Sequence, residues 1–233
     1  MHSFGQSVPA TRVLAVALSA LALSACCSTK AVLGVVIGDS PPLEQRVPGH
    51  VVVVCPREKV TLGWGASPDV KTANLTDIGS VSLPTGVSTL QVGAASKDYT
   101  FSVKGDCEAQ DTAKVIVATP NTPFVFSAQQ VGSLGNATLK WEAVLPEVFY
   151  SPKVKITSVK LNAPLTASGW IVSKIDLNGF IHSFPVTNGF TTPWSAPIQL
   201  AGTWQLIPKD PAVELNPRAL PPVVELQVTL TCE

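Results

Sequence analysis

Five cysteines, three histidines and a scatter of carboxylates are the residues of this 233-residue chain that could ligate, oxidise or catalyse. The cysteines are Cys26, Cys27, Cys55, Cys107 and Cys232, and the histidines are His2, His50 and His182. A zinc site gathers about four Cys, His or carboxylate ligands, usually signalled by pairs a few residues apart. No histidine here stands in such a cluster, so neither a metal nor a cofactor is expected. An esterase-like hydrolase would show Gly-x-Ser-x-Gly at its nucleophile elbow, and that motif is absent. A glycosidase needs two carboxylates about 5–9.5 Å apart in space. Asp176, Glu142 and Glu147 could supply that pair only if the fold gathers them. No Gly-rich phosphate loop or Asp-rich calcium loop occurs. Trp170, Phe180, Phe184, Phe190 and Trp194 cluster among Gly179, Gly189 and Thr191-Thr192-Pro193. Exposed aromatic platforms bind sugars or proteins, which makes Trp170 and Trp194 the candidate ligand-binding residues, with a core role as the competing reading.

The elements that would position these groups read as strands. Charged residues are 14% and apolar residues 45%, with 20 prolines and 16 glycines, and no stretch beyond residue 27 keeps a helical period. That balance favours sheet over helix, and the expected class is all-β. Ala31–Ile37 and His50–Cys55 are continuous β-branched runs, whereas Val60, Leu62 and Trp64 alternate with Thr61, Gly63 and Gly65. Weaker strands are expected near 71–75, 81–83 and 89–92, then around Tyr99–Val103 and Thr112–Ala118. Thr119-Pro120-Asn121-Thr122-Pro123 reads as a linker. Beyond it, Pro123–Ala128, Ala137–Val144, Lys153–Leu161, Trp170–Leu177, Phe180–Phe184, Ile198–Leu200 and Thr203–Ile207 are strand-like. Val154 and Ile156 are out of phase with Val159 and Leu161, and a bulge near Ser158 would reconcile them. Val224, Leu226, Val228, Leu230 and Cys232 share one face of a final strand.

Ahead of these strands, Arg12 precedes an apolar run, Val13–Leu23, too short for a bilayer crossing, which needs about 20 apolar residues. A cation, a short apolar core and a small-residue exit describe a secretory signal. Leu23-Ser24-Ala25-Cys26 resembles the lipobox of bacterial lipoproteins. The resemblance implies cleavage after Ala25, a diacylglycerol on the sulfur of Cys26, and Cys26 as the acylated N-terminus. Several acyl chains on one terminus hold stably to a membrane. An ordinary cleaved signal, leaving Cys26 and Cys27 unacylated, is the alternative. Gly38-Asp39-Ser40 resembles the nucleophile block of GDSL-type hydrolases. Pro41 stands where that family has Leu, and no histidine follows His182, so a plain turn is expected.

From Lys59 to Ala118 the chain resembles the immunoglobulin-like modules of bacterial surface and periplasmic proteins. The matching residues are Val60-Thr61-Leu62-Gly63-Trp64, Leu90-Gln91-Val92, Tyr99-Thr100-Phe101-Ser102-Val103 and Ala113-Lys114-Val115-Ile116-Val117. They are core positions, so the resemblance implies a fold and no active site. It also bears on the cysteines. If the run at 50–55 is the second strand of such a sandwich and 60–66 the third, Cys55 and Cys107 end at one pole and pair. If 60–66 is the second strand, those two lie at opposite poles and Cys55–Cys232 becomes the better pairing. Trp64 on a third strand favours Cys55–Cys107, leaving Cys232 as a buried thiol.

The expected organisation is a signal peptide over 1–25, a lipidated terminus and tether over 26–30, and an immunoglobulin-like β-sandwich over 31–118. A linker over 119–123 and a second β-sandwich over 124–233 follow. Removing residues 1–25 takes away Arg12 and no acid, leaving 15 basic and 16 acidic residues. Nucleic acid is therefore not an expected partner. The membrane, through the lipid, and an envelope protein or glycan are. The expected location is the cell envelope, on the outer membrane in an organism that has one. A binding or structural task without catalysis is expected, with a carbohydrate-active or other hydrolase on a β-sandwich as the alternative.

Overall fold

The computed structural model describes residues 28–39, 50–120, 123–131, 140–162, 169–187, 189–208 and 221–233. The signal segment, Cys26, Cys27 and Ser40 lie outside them. The described chain is all-β. Its strands are β1 (Ala31–Ile37), β2 (Val51–Val54), β3 (Lys59–Ala66), β4 (Thr72–Leu75), β5 (Gly79–Ser80), β6 (Thr85–Gln91), β7 (Lys97–Lys104) and β8 (Glu108–Val117). They continue with β9 (Pro123–Val131), β10 (Lys140–Leu145), β11 (Val154–Asn162), β12 (Trp170–Ile175), β13 (Ile181–Val186), β14 (Thr191–Gln199), β15 (Gly202–Pro208) and β16 (Val223–Cys232). A single 3-10 turn, Glu147–Phe149, interrupts them among the described residues.

Three sheets result. One has the order β1-β3-β6, the second β2-β8-β7-β4-β5, and the third β13-β12-β15-β10-β9-β16-β11-β14. By internal contacts the described residues form two compact units. One holds 28–33, 64–86 and 100–111; the other holds 34–63, 87–99 and the described residues from 112 to 233.

In the first unit, the indole of Trp64 packs on Phe101 with ring centroids 6.4 Å apart, and its Nε1 donates to the carbonyl of Ser82 at 3.0 Å. Gly86 is required beside it, because a Cβ there would meet the Trp64 ring at 2.3 Å. In the second unit, the β2 valines Val52, Val53 and Val54 are fully buried, and β2 runs parallel to β8 with Val54 opposite Val117.

The third sheet supplies most of the core. Alternation along β16 buries Val224, Leu226, Val228 and Leu230, as the period-two pattern requires. On β11 the register shifts between Ile156 and Ser158. That bulge lets Val154, Ile156, Val159 and Leu161 all be buried on a strand whose phase changes midway. Trp141, Trp170 and Trp204 are fully buried, with Trp141 edge-on to Trp170 at 5.4 Å and Phe126 edge-on to Trp204 at 5.3 Å. Each such aromatic contributes roughly 4–6 kcal/mol of transfer free energy before entropy is charged. The sheet curls until its two edge strands meet, where Phe184 of β13 stacks on Trp194 of β14 at 4.0 Å.

β14 departs from expectation. Its Pro193 and Pro197 lie in a segment that reads as loop, yet Thr191–Gln199 is a strand. Among the described residues it pairs with β11 alone, and an edge strand can carry residues that donate no N–H.

Candidate functional site

The hairpin joining β12 to β13 is built to hold apolar side chains out in water. Asp176 Oδ1 accepts the N–H groups of Asn178 and Phe180, both at 2.9 Å. The backbone closes the turn through Asp176 N–H to Phe180 O at 3.0 Å and Gly179 N–H to Asp176 O at 3.1 Å. Gly179 has φ +83°, the left-handed region that glycine enters at no steric cost. Burial raises the Asp176 carboxyl, but the Phe180 and Asn178 N–H groups, His182 and Lys174 outweigh it and bring it below its ordinary value. His182 Nε2 lies 3.6 Å from Asp176 Oδ2. The turn so fixed presents Leu177, Phe180 and Ile181, which are 51%, 68% and 66% exposed. Apolar and aromatic side chains on a rigid support lose little entropy when a partner covers them. Phe190, at the far end of β13, is similarly exposed.

Beneath this hairpin lies a buried lysine. Lys174 shares the inward face of β12 with Trp170 and Val172, is fully buried, and its Nζ makes no hydrogen bond. Desolvation drives its pKa down to about 8, opposed by the nearby Asp176 carboxylate. A Cβ on Gly202 would sit 3.2 Å from that Nζ and 2.5 Å from the carbonyl of Ile175, so the glycine leaves the ammonium its space.

The expected site residues land elsewhere. Trp170 is a core residue with no exposed surface, so it cannot serve as a platform. Trp194 is half-buried and stacked on Phe184 at 4.0 Å and on Trp204 at 5.9 Å, so its ring is packed against other aromatics and is not an exposed platform. Both indoles were drawn inward because the sheet curls, which local spacing does not reveal. The exposed members of the aromatic cluster are Phe180 and Phe190. For Phe180 the signal was present in the Asp-x-Asn-Gly turn chemistry that precedes it.

Nor are the three carboxylates brought together. Glu142 faces Gln205 of β15, which faces Ser173 of β12, three residues before Asp176. Two strand spacings and three rises put the Glu142 and Asp176 backbones roughly 14 Å apart. Glu142 is bound by Lys140 Nζ and Gln205 Nε2, each at 2.9 Å, and these hold its carboxyl below the usual range. Glu147 lies in the 3-10 turn. A groove of about 620 Å³ crosses β4, β7 and β8, and its lining carries one carboxylate, Glu108, which pairs with Lys104 at 3.2 Å. Among the described residues no three His, Cys, Asp or Glu side chains stand together to hold a metal ion.

The expected Cys55–Cys107 pairing is overturned. Cys55 is bonded to Cys232, with Cα atoms 5.7 Å apart. The reason is register: Val54 lies opposite Val117, near the end of β8, whereas Cys107 precedes that strand's first residue. Cys232 is therefore a half-cystine and not a buried thiol. Beside the bridge, Glu58 accepts the Cys55 N–H and the Ser151 hydroxyl, both at 2.7 Å. Cys107 is disulfide-bonded as well, to a different partner.

No protein-family model matches this sequence, and no curated protein matches it.

Proposed function

We propose that this chain is a lipid-anchored protein of the bacterial cell envelope that binds a partner protein and carries out no catalysis. The lipobox at Leu23-Ser24-Ala25-Cys26 supports the anchor, with Cys26 acylated and the mature chain held at the outer membrane where one exists. Two β-sandwich domains, 31–118 and 124–233, follow the anchor. The pairing of β1-β3-β6 in one sheet and β2-β8-β7-β4-β5 in another, with β2 parallel to β8, supports an immunoglobulin-like first domain in which β3 is the second strand.

The binding reading is carried by the Asp176-fixed turn, which spends two side-chain hydrogen bonds to keep Leu177, Phe180 and Ile181 in solvent. Two aliphatic side chains beside one ring favour a protein surface over a sugar, which prefers flat aromatic faces. The test uses the full-length protein in its native envelope, with a photo-reactive phenylalanine analogue at position 180. A discrete crosslinked adduct, lost when Leu177 and Ile181 are both changed to Ser in a chain that keeps its melting temperature, supports the reading. An unchanged adduct, or none, refutes it. Metabolic labelling with palmitate, abolished by Cys26→Ala, tests the anchor separately.

A further inference from the structure

The groove of about 620 Å³ across β4, β7 and β8 lies within the first unit and has a size common among ligand sites. Strand alternation builds it. Thr72 and Asn74 of β4, Ser80 of β5, Ser102 of β7 and Gln110 of β8 are exposed along its lining. Between them Ala73 and Val103 turn inward and are 8% and 3% exposed. We propose that this groove binds an extended polypeptide segment of no net charge, held through its backbone N–H and C=O groups. The site is separate from the Asp176 hairpin and depends neither on that hairpin nor on the anchor.

The polar side chains of the groove are left open to a ligand. In register, Asn74 lies opposite Ser80 on one side and Ser102 on the other. Polar neighbours on adjacent strands pair elsewhere in this molecule. Ser158 Oγ donates to Thr229 Oγ1 at 2.7 Å, Asn162 Nδ2 to Gln227 Oε1 at 3.2 Å, and Gln205 Nε2 to Glu142 Oε2 at 2.9 Å. In the groove no side chain of Thr72, Asn74, Ser80, Ser102 or Gln110 is hydrogen-bonded to another described residue.

Their chemistry selects the occupant. Each hydroxyl both donates and accepts, and each carboxamide offers a C=O beside an NH2, which is the complement of a peptide group. Outward side chains recur every two residues along a strand, a repeat of about 6.7 Å. The same-side N–H and C=O groups of an extended peptide laid along β4 or β7 recur at that same interval, so the two match in step. The charged residues of the lining, Lys104 and Glu108, pair at 3.2 Å and leave no net charge to draw a phosphate or a strongly charged chain. Charge complementarity therefore favours an uncharged occupant. No aromatic ring is among the lining residues, so the stacking surface that sugars favour is missing. With no large side-chain anchor either, recognition falls on the backbone of the bound segment.

The test is saturation-transfer nuclear magnetic resonance on the full-length protein, extracted in a zwitterionic detergent without sugar headgroups. The probe is a pool of acetylated, amidated hexapeptides of random order built from Gly, Ser, Thr, Asn and Val. Transfer from the protein to the pool is expected, with a dissociation constant read by titration. Binding should weaken about tenfold in the Asn74→Ala, Gln110→Ala double variant, which removes both carboxamides. It should vanish for the same pool N-methylated at alternate residues, a comparison that needs no variant to fold. The Lys104→Gln, Glu108→Gln double variant should bind within about twofold of wild type, and so should Leu177→Ser, Ile181→Ser. No transfer, equal transfer to the N-methylated pool, or a loss in the Lys104, Glu108 variant would overturn the proposal. Transfer to maltohexaose or chitohexaose in place of the peptides would overturn it in favour of a glycan. Binding lost in the Leu177, Ile181 variant and kept in the Asn74, Gln110 variant would overturn the groove and leave the hairpin reading standing.

Discussion

Removing the Cys55–Cys232 bond should destabilise the protein more than any single truncation at its surface. The bond closes a loop with a sequence separation of 177 residues. The chain-entropy relation assigns a cross-link of that span about 5 kcal/mol at 25 °C, and native bridges commonly return 2–4 kcal/mol. Cys55 is 5% exposed and Cys232 is packed against the main core, so alanine is the replacement that leaves no unpaired thiol or hydroxyl there. Glu58 and Ser151 still bind each other beside the site, and the neighbouring backbone bond from Ser151 N–H to Val53 O at 2.9 Å is untouched. The native state should therefore keep its geometry, and the loss should fall on the denatured state, which gains conformational freedom. A loss of about 4 kcal/mol corresponds to about 8–16 °C in melting temperature for a chain of this size. The assay is thermal and urea unfolding of the Cys55→Ala, Cys232→Ala double variant against the wild type, both non-reduced. Adding a reductant to the wild type should reproduce part of the loss. A melting temperature within about 2 °C of wild type would refute the reasoning, since a loop this long cannot be closed without a measurable entropy difference.

Other perturbations have equally definite outcomes. Lys174 has its folded pKa lowered to about 8, below its unfolded value of 10.5, so the unfolded state binds more protons between those values. Stability should rise with pH across that window and the rise should vanish in Lys174→Met, which should be at least as stable as wild type at pH 7; a large loss on that substitution would show the ammonium to be bound. Gly86→Ala should cost about 1–3 kcal/mol, because its Cβ meets the Trp64 ring at 2.3 Å, and near-ultraviolet dichroism should report the displaced indole. Asp176 has a lowered folded pKa, so its contribution is present above the unfolded value and lost as pH falls through the folded one. Amide-exchange protection at Asn178 and Phe180, taken relative to the intrinsic rate at each pH, should fall in that acid range, and Asp176→Ala, which removes the acceptor, should abolish it at all pH values.

Much of the strand inventory was legible because a strand buried on one face writes its period into the sequence. β16 alternates without a break, and the bulge on β11 could be placed from a phase slip between Ile156 and Val159. Where a strand lies at a sheet edge or local rules compete, legibility failed. β14 carries two prolines that signal a turn, and only its edge position, facing a single neighbour, makes them compatible with a strand. Lys174 alternates in phase with Trp170 and Val172, but a lysine at such a position gives no sign that its ammonium is enclosed.

The amino-acid sequence by itself determined the all-β class, the inward faces of its clearest strands and the turn chemistry around Asp176, because each depends on residues within a few positions of one another. Only the tertiary structure decided which cysteines meet, which tryptophans are enclosed, and that Glu142 and Asp176 stay apart. Those outcomes depend on strand order and register. The parallel alignment of β2 with β8 sends Cys55 away from Cys107, and the curl of the eight-stranded sheet covers Trp170 and Trp194 while leaving Phe180 in water.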